Sequence, residues 1–539
     1  MKASGVSRRS PMSPSDIYGE NMRRVVPNLH FRLSVVVWAA LLSHGAPAVV
    51  WATPSVFEIT LSSAVAKQPI TGRLFVFTQS LNNPGSSGVD RPVSEPRLGP
   101  NWFAPEPFFG LDVRDFGPGQ SRRIDDEADG FPDKLSNLPP GRYRVQAVLH
   151  HNLDAAFPGR GEGNFYSPTQ EVEINDSQQT SQVELSLDHV VPPEPWPESR
   201  WVQEIVLRSP SLSAFHHRDV LERCGVALPA SYYDQPERRY PVIFLVPGFG
   251  GSHRDALQFA TQPPTAEEGE EEFIRVFLTG DCLWGHHVFA DSATNGPRGQ
   301  ALVQELIPEI DRRFRTIADR NARFLYGHSS GGWSVLWLMI NYPETFGGVW
   351  SISPDPVDFR DFQRVNLYAD PPQSMYTDEA GNRRPLARAG DHVALWYDSF
   401  AHMDDVLKRG GQLRSFEAVF SPLGPDGEPL KLWDRSTGLI NSDVARDWQN
   451  YDIRLQIEAH WPKLQPLLAG RVHITVGDRD TFYLDGAVHR LAESLSHLGS
   501  DAEIKFLPGR GHSDLLTSEL YHSIRKQMSE LFRQENKSN

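Results

Sequence analysis

In the second part of the chain, unbroken apolar runs alternate with helical stretches. The runs are "YPVIFLVPG" (Tyr240–Gly248), "EFIRVFLTG" (Glu272–Gly280), "ARFLYG" (Ala322–Gly327), "GGVWSISP" (Gly347–Pro354), "VHITVG" (Val472–Gly477) and "AEIKFLPG" (Ala502–Gly509), each closing on glycine or proline. Between them lie segments of helical period such as "ALVQELIPEIDRRF" and "AVHRLAESLSHL". Strands that are apolar on both faces and alternate with helices predict a mostly parallel sheet covered by helices on both sides. In such sheets the ligand site lies at the carboxyl ends of the strands.

The first part, 53–191, is patterned differently. "VFEITLS", "GRLFVFT", "GRYRVQAVL", "EVEI" and "QVELSL" are short strand-like segments separated by turn chemistry such as "NNPGSSG" and "LPPG". In "GRYRVQAVL" a period of two sets Tyr143, Val145, Ala147 and Leu149 on one face and Arg142, Arg144 and Gln146 on the other, which marks a half-buried strand. Such strands with no helical period predict an all-β antiparallel sandwich, immunoglobulin-like in architecture but without the cysteine pair. The proline-rich "VVPPEPWPESRW" marks a boundary, so 192–204 is expected to be a linker and 205–535 the second domain.

At the amino terminus, a basic stretch from Met22 to Arg32 precedes "LSVVVWAALL", Leu33 to Leu42. That run is too short for a bilayer, which needs about 20 apolar residues, and suits the core of a signal peptide. Small residues follow, with candidate cuts after Ala52 or Ala48, and Met22 is a candidate start. The reading is an exported protein, periplasmic or extracellular, with leader and signal in 1–52 and no membrane span after signal removal. Cys224 and Cys282 are the two cysteines. In that compartment they are either a disulfide or two separate thiols. A formal charge of −15 argues against a nucleic-acid partner, which calls for a basic face.

The candidate chemistry sits in "FLYGHSSGGWSVLW", Phe324 to Trp337. An apolar strand runs into Gly327, and a nearly all-apolar helix is expected from Gly331 to Asn341. A nucleophilic serine on a sharp strand-to-helix turn projects its hydroxyl above the sheet, and side chains two positions either side would strike backbone. Gly327 and Gly331 bracket Ser329 at that spacing. Ser330 would need glycine at position 328, where the chain has His328, so Ser329 is the nucleophile candidate.

The backbone amide of Ser330 is then placed to stabilise an oxyanion. A second donor is expected from the glycine-rich loop "VPGFGGSH", Val246 to His253: the amide of Phe249, with Gly250 as the alternative. A serine alcohol needs a base, and the base needs an acid, in the chain order Ser, Asp or Glu, His. His473 lies in a strand, and His489, His497 and His522 lie in helical stretches. His512, in "LPGRGHSDLL" after the last apolar strand, is the base candidate. "VGDRDTFYLD" offers Asp478, Asp480 and Asp485, of which Asp480 has the reach and Asp478 suits a loop cap. Histidine pairs at 150–151, 216–217 and 286–287 lack any metal-ligand spacing, so no metal and no cofactor are expected.

These motifs resemble the esterase family of α/β-hydrolases that includes esterase D, feruloyl esterases and enterochelin esterases. "ELIPEIDRRFRTIADRNARFLYGHSSGGW" and "NYPETFGGVWSISP" carry the resemblance most specifically, and it extends from Tyr240 to Leu516. The family's G-x-x-D-x-F acid motif matches Gly477, Asp480 and Phe482, its nucleophile Ser329 and its terminal histidine His512. The resemblance implies an α/β-hydrolase fold, and the amino-terminal β-domain is similar to the enterochelin-esterase arrangement. The long interval between Ser329 and Asp480 departs from compact members and predicts an insertion or lid within 355–468.

The expected function is a serine hydrolase cleaving carboxylic esters, small-molecule or glycan or peptidic, through an acyl-enzyme. The alternatives are an acyltransferase with the same triad, or a ligand-binding protein with a vestigial hydrolase domain.

Overall fold

The computed structural model describes residues 56–81, 95–174 and 182–537. The candidate signal segment lies outside the described residues. The chain divides into two compact units, one of residues up to His151 together with Asn164–Val191, the other of Asn152–Gly163 together with Pro192 onwards.

The first unit contains β1 (Val56–Leu61), β2 (Ile70–Ser80), β3 (Phe108–Phe116), β4 (Ser121–Ile124), β5 (Asp129–Phe131), β6 (Gly141–His150), β7 (Phe165–Tyr166), β8 (Gln170–Ile174), β9 (Gln182–Leu187) and β10 (His189–Val190). One sheet has the order β4-β1-β9, and a larger one runs β10-β7-β6-β2-β3-β5 with β8 also on β6. Phe57, Ile59 and Leu185 from the smaller sheet share one buried core with Val76, Phe109, Val145 and Leu149 from the larger. Two results differ from the antiparallel pattern expected from sequence. β1 pairs parallel with β9. Gln146, assigned to the polar face of its strand, is only 1% exposed. It is buried because Arg97 N–H donates to its Oε1 at 3.1 Å while its amide donates to Ser167 O at 2.9 Å.

The second unit contains β11 (Val202–Arg208), β12 (Leu221–Ala227), β13 (Val242–Val246) and β14 (Ile274–Leu278). Two minimal pairs follow, β15 (Asp281–Cys282) with β16 (Gly285–His286) and β17 (Asp291–Ser292) with β18 (Gly296–Pro297). Next come β19 (Arg323–His328), β20 (Gly348–Ile352), the hairpin β21 (Pro385–Ala389) and β22 (His392–Trp396), β23 (Val472–Gly477) and β24 (Glu503–Leu507). Eight strands form one sheet in the order β11-β12-β14-β13-β19-β20-β23-β24. β12 alone runs against the others. Each apolar run noted in the sequence supplies one strand of this sheet. One reversed strand near the edge, with the third and fourth strands exchanged in position, is the arrangement of the α/β-hydrolase fold.

Both faces of the sheet are covered. On one, Phe324, Trp350 and Ile352 pack with Leu515, Ile524 and Met528, the last two from the carboxy-terminal helix Ser518–Lys537. Fully burying a side chain such as Phe324 or Ile352 contributes about 1.5–3 kcal/mol. On the other, the helix Ser330–Asn341 is buried along its length from Ser330 to Ile340.

The domain limits read from sequence shift in three places. The expected linker 192–204 is not a free spacer, because Trp196 and Trp201 pack against Ala256 and Phe277 and β11 already starts at Val202. Asn152–Gly163, placed by sequence in the β-domain, clusters with the second unit. Its Ala156 N–H donates to Asp281 Oδ1 at 3.2 Å. Of the expected insertion 355–468, the helix Ile453–Leu468 leads directly into β23 and packs against Ser330–Asn341, so it belongs to the helical layer. Cys224 and Cys282 are both free and buried, which resolves the open choice in favour of separate thiols. Among the described residues no helix is long and apolar enough to cross a membrane.

Candidate active site

β19 ends at His328, and the next residue, Ser329, takes φ 61° and ψ −126°, after which the helix begins at Ser330. That conformation is costly for a serine and persists only where its surroundings enforce it. The flanking glycines make the turn sterically possible. A Cβ at Gly327 would lie 2.2 Å from Gly331 O, and one at Gly331 would lie 2.1 Å from Val246 O. No side chain fits at either position.

The loop after β13 lies beside this turn. A Cβ at Gly248 would lie 3.2 Å from the Cβ of Ser329. Gly251 N–H donates to Gly248 O at 3.1 Å, closing a tight turn with Phe249 and Gly250 at its centre. Gly250 has φ 82°, the left-handed region that favours glycine. The ring of Phe249 meets that of Phe157 edge-on at 6.0 Å. His286 Nε2 donates to Pro247 O at 3.0 Å, and its Nδ1 accepts from Val288 N–H at 3.0 Å. Both ring nitrogens of this histidine are thus engaged by backbone, and burial pushes its pKa down to about 4.

Of the three aspartates weighed, Asp480 meets His512. His512 Nδ1 lies 2.8 Å from Asp480 Oδ2, with Asp480 at 0% and His512 at 5% exposure. Asp480 Oδ1 also accepts the amides of Phe482 at 2.9 Å and Leu484 at 3.4 Å. Asp478 instead accepts Gly509 N–H at 2.6 Å, and Asp485 begins the helix Asp485–His497 and pairs with Arg388 at 3.4 Å. Burial alone would raise the Asp480 carboxyl, but the His512 charge and these hydrogen bonds hold it below the usual carboxylate range. Burial likewise opposes protonation of His512, yet Asp480 and the nearby Asp355 raise its pKa above the ordinary histidine value.

Three residues around this group were not singled out in the sequence. His328 donates through Nε2 to the backbone oxygen of His512 at 2.8 Å. Asp355, just past the end of β20, accepts the Ser330 hydroxyl at 2.6 Å. Arg388, on the hairpin of β21 and β22, donates from Nε to Asp480 O at 2.9 Å and from its amide to Thr481 O at 2.8 Å. His328 stands inside the motif that drew attention to Ser329, whereas Asp355 and Arg388 carry no local signature. Among the described residues, Glu267, Glu270 and His522 form the group with metal-ligand character. There Arg525 already opposes the carboxylates, 2.9 Å from Glu270 Oε2.

A serine thus stands at a strained strand-to-helix turn, beside a glycine-rich loop and a buried His–Asp pair, at the carboxyl ends of strands of an α/β-hydrolase sheet. Residues 223–513, more than half of the chain, match the family described as "Putative esterase", and the chain belongs to that family. An uncharacterized protein of Corynebacterium glutamicum is 23% identical over 249 residues, which is 41% of this chain and 56% of that protein. An endo-1,4-beta-xylanase/feruloyl esterase of Xylanibacter ruminicola is 29% identical over 138 residues, 24% of this chain and 19% of that one. The chain therefore spans little more than half of the first relative and under a fifth of the second. A solved ferulic acid esterase is 15% identical with TM-score 0.39, covering 61% of this chain and 98% of that one. An S-formylglutathione hydrolase from Agrobacterium tumefaciens is 14% identical with TM-score 0.36, covering 61% and 95%.

Proposed function

We propose that this esterase-family protein is an exported serine hydrolase that cleaves carboxylic esters through an acyl-enzyme, with Ser329, His512 and Asp480 as its triad. The observation that carries the reading is the buried 2.8 Å contact between His512 Nδ1 and Asp480 Oδ2. Because Nδ1 is bound to the acid, Nε2 is the nitrogen that takes the Ser329 proton as Oγ attacks the ester carbonyl. The amides of Phe249 and Ser330 then donate to the oxyanion, each such donor being worth about 10²–10³ in rate. His512 returns the proton to the leaving alcohol. Water, deprotonated by the same imidazole, releases the acid.

The basic-then-apolar pattern up to Leu42 supports export. The amino-terminal two-sheet unit is read as an immunoglobulin-like sandwich. The xylanase/feruloyl esterase relative gives reason to include feruloyl esters in a substrate panel. The test is labelling with a fluorophosphonate followed by peptide mapping. The expected result is modification of Ser329 and loss of ester turnover in Ser329→Ala. Turnover that survives that substitution overturns the reading.

A further inference from the structure

Ser330 stands where the nucleophile turn becomes a helix, and its side chain is wholly buried, at 0% exposure. Its hydroxyl donates to Asp355 Oδ2 at 2.6 Å, while the backbone amide of Asp355 donates to Ser329 O at 3.2 Å. Asp355 thus bonds to two successive residues of the turn, one through its side chain and one through its main chain. We propose that Asp355 is a positioning residue for the nucleophile turn, and that Gln412 of the inserted segment completes its grip. The proposal rests on the reading of Ser329 as nucleophile and of the Ser330 amide as an oxyanion donor.

The physical need for such a grip comes from the backbone. Ser329 at φ 61° and ψ −126° is in a sparsely populated region, costing roughly 1–3 kcal/mol that neighbouring bonds must offset. Ser329 N–H donates to Ile352 O at 2.9 Å, and Trp333 N–H donates to Ser329 O at 3.1 Å. The first fixes Ser329, and the second holds the carbonyl of the Ser329–Ser330 peptide from the helix side only. The Asp355 amide donates to that same carbonyl from the other side, and the Asp355 carboxylate accepts the hydroxyl of the residue that carries the peptide's N–H. The amide whose direction matters for an oxyanion is therefore gripped from both ends.

Gln412 reaches the same point from the other side. It is the first residue of the helix Gln412–Phe420, and its Nε2 lies 3.2 Å from Ser330 Oγ and 3.4 Å from Asp355 Oδ2. The start of that helix is itself fixed by Asp404, whose Oδ2 accepts Leu413 N–H at 2.7 Å. The helix Gln412–Phe420 is in this way joined to the turn through an amide side chain. A non-hydroxylic residue at 330 could not take part.

Asp355 also contributes charge. It is 6% exposed and faces uncharged Ser330 and Gln412, together with the His512 and Asp480 pair. Its negative charge favours the imidazolium that forms as Ser329 attacks. Burial pushes its carboxyl up to about 6, against the opposing pull of the Ser330 hydroxyl and His512.

The test compares wild type, Ser329→Ala, Asp355→Ala, Asp355→Asn, Ser330→Ala and the Asp355→Ala/Ser330→Ala double variant on 4-nitrophenyl acetate. A misdirected donor costs less than a missing one, so Asp355→Ala is expected to lower kcat by roughly 10- to 100-fold, with KM within about threefold of wild type. Asp355→Asn keeps an acceptor for the Ser330 hydroxyl and is expected to recover most of that loss. In both Asp355 variants the acidic limb of kcat/KM moves to lower pH, because a negative charge near His512 is gone. Ser330→Ala should lose kcat by no more than Asp355→Ala, which also loses the charge, and the double variant should be no slower than Asp355→Ala, as for one shared interaction. Independent, multiplying losses, a loss confined to KM, or failure of Asn to rescue overturns the proposal. If Asp355→Ala does not fold, Ser330→Ala decides alone, and a wild-type kcat there overturns it. Turnover surviving in Ser329→Ala overturns the nucleophile reading instead.

Discussion

The rings of His328 and His512 lie 4.6 Å apart, and the Nε2–H of His328 donates to the His512 carbonyl at 2.8 Å. The residue before the candidate nucleophile thus holds the loop that carries the candidate base. A carbonyl acceptor requires a protonated Nε2 and leaves the ring neutral, and burial with the neighbouring His512 pushes its pKa down to about 3. His328→Ala is expected to lower kcat about tenfold, the scale of one lost buried hydrogen bond at about 1.4 kcal/mol. His328→Asn, whose amide can donate to the same oxygen, should stay within about threefold of wild type. Steady-state kinetics on both variants checks this.

The His512–Asp480 pair sets a pH dependence with a definite sign. His512 must be neutral to accept a proton, and its pKa is raised, so kcat/KM should climb through a midpoint above about 6.5. Asp480→Asn removes the charge that raises it, moving that limb to lower pH while reducing kcat by up to about 10⁴. For stability the signs differ. The depressed Asp480 contributes stability that is present above its ordinary unfolded value and is lost as pH falls through the lower folded value. The raised His512 contributes stability present below its unfolded value and lost as pH rises through the folded one. A pH–rate profile and denaturant titrations across the same range measure both.

Gly331→Ala tests the turn itself. The added methyl would lie 2.1 Å from Val246 O and 2.7 Å from Pro247 O, both backbone atoms that cannot rotate away. Overpacking of this kind costs about 1–3 kcal/mol or more. The loop carrying Phe249 should move with it. We expect a lowered Tm and loss of fluorophosphonate labelling at Ser329, read by thermal unfolding and mass spectrometry.

Glu417, on the helix Gln412–Phe420, gathers buried partners around itself. It is 0% exposed, accepts Leu432 N–H at 2.8 Å, lies 2.8 Å from Arg435 Nη2 and is paired with Arg414. Removing one partner of a buried ionic group leaves the others uncompensated, at a cost of about 3–5 kcal/mol. Glu417→Ala should therefore loosen the helix Gln412–Phe420, detected as faster amide exchange there, and lower activity through Gln412. Unchanged exchange in that helix contradicts this account.

Much of the second unit could be read locally. The strands at the centre of its sheet are continuous apolar runs because both of their faces are covered, and the glycine spacing around Ser329 follows from clashes within a few residues. β11 and β12 escaped the reading because "VQEIVLR", on the edge strand, and "LERCGVA", on the strand beside it, mix polar and apolar residues. Glycines, periodicity and the chain order of serine, aspartate and histidine are properties of neighbouring residues, so the sequence by itself determined the sheet, the turn and the set of candidates. Which aspartate meets His512 was decided by the fold of the loops after β23 and β24. The packing of Asn152–Gly163 with the second unit, and the meeting of Asp355, Ser330 and Gln412, were likewise decided only in three dimensions. Those contacts join residues far apart in the chain, where hydrogen bonding and burial, not local pattern, select the partner.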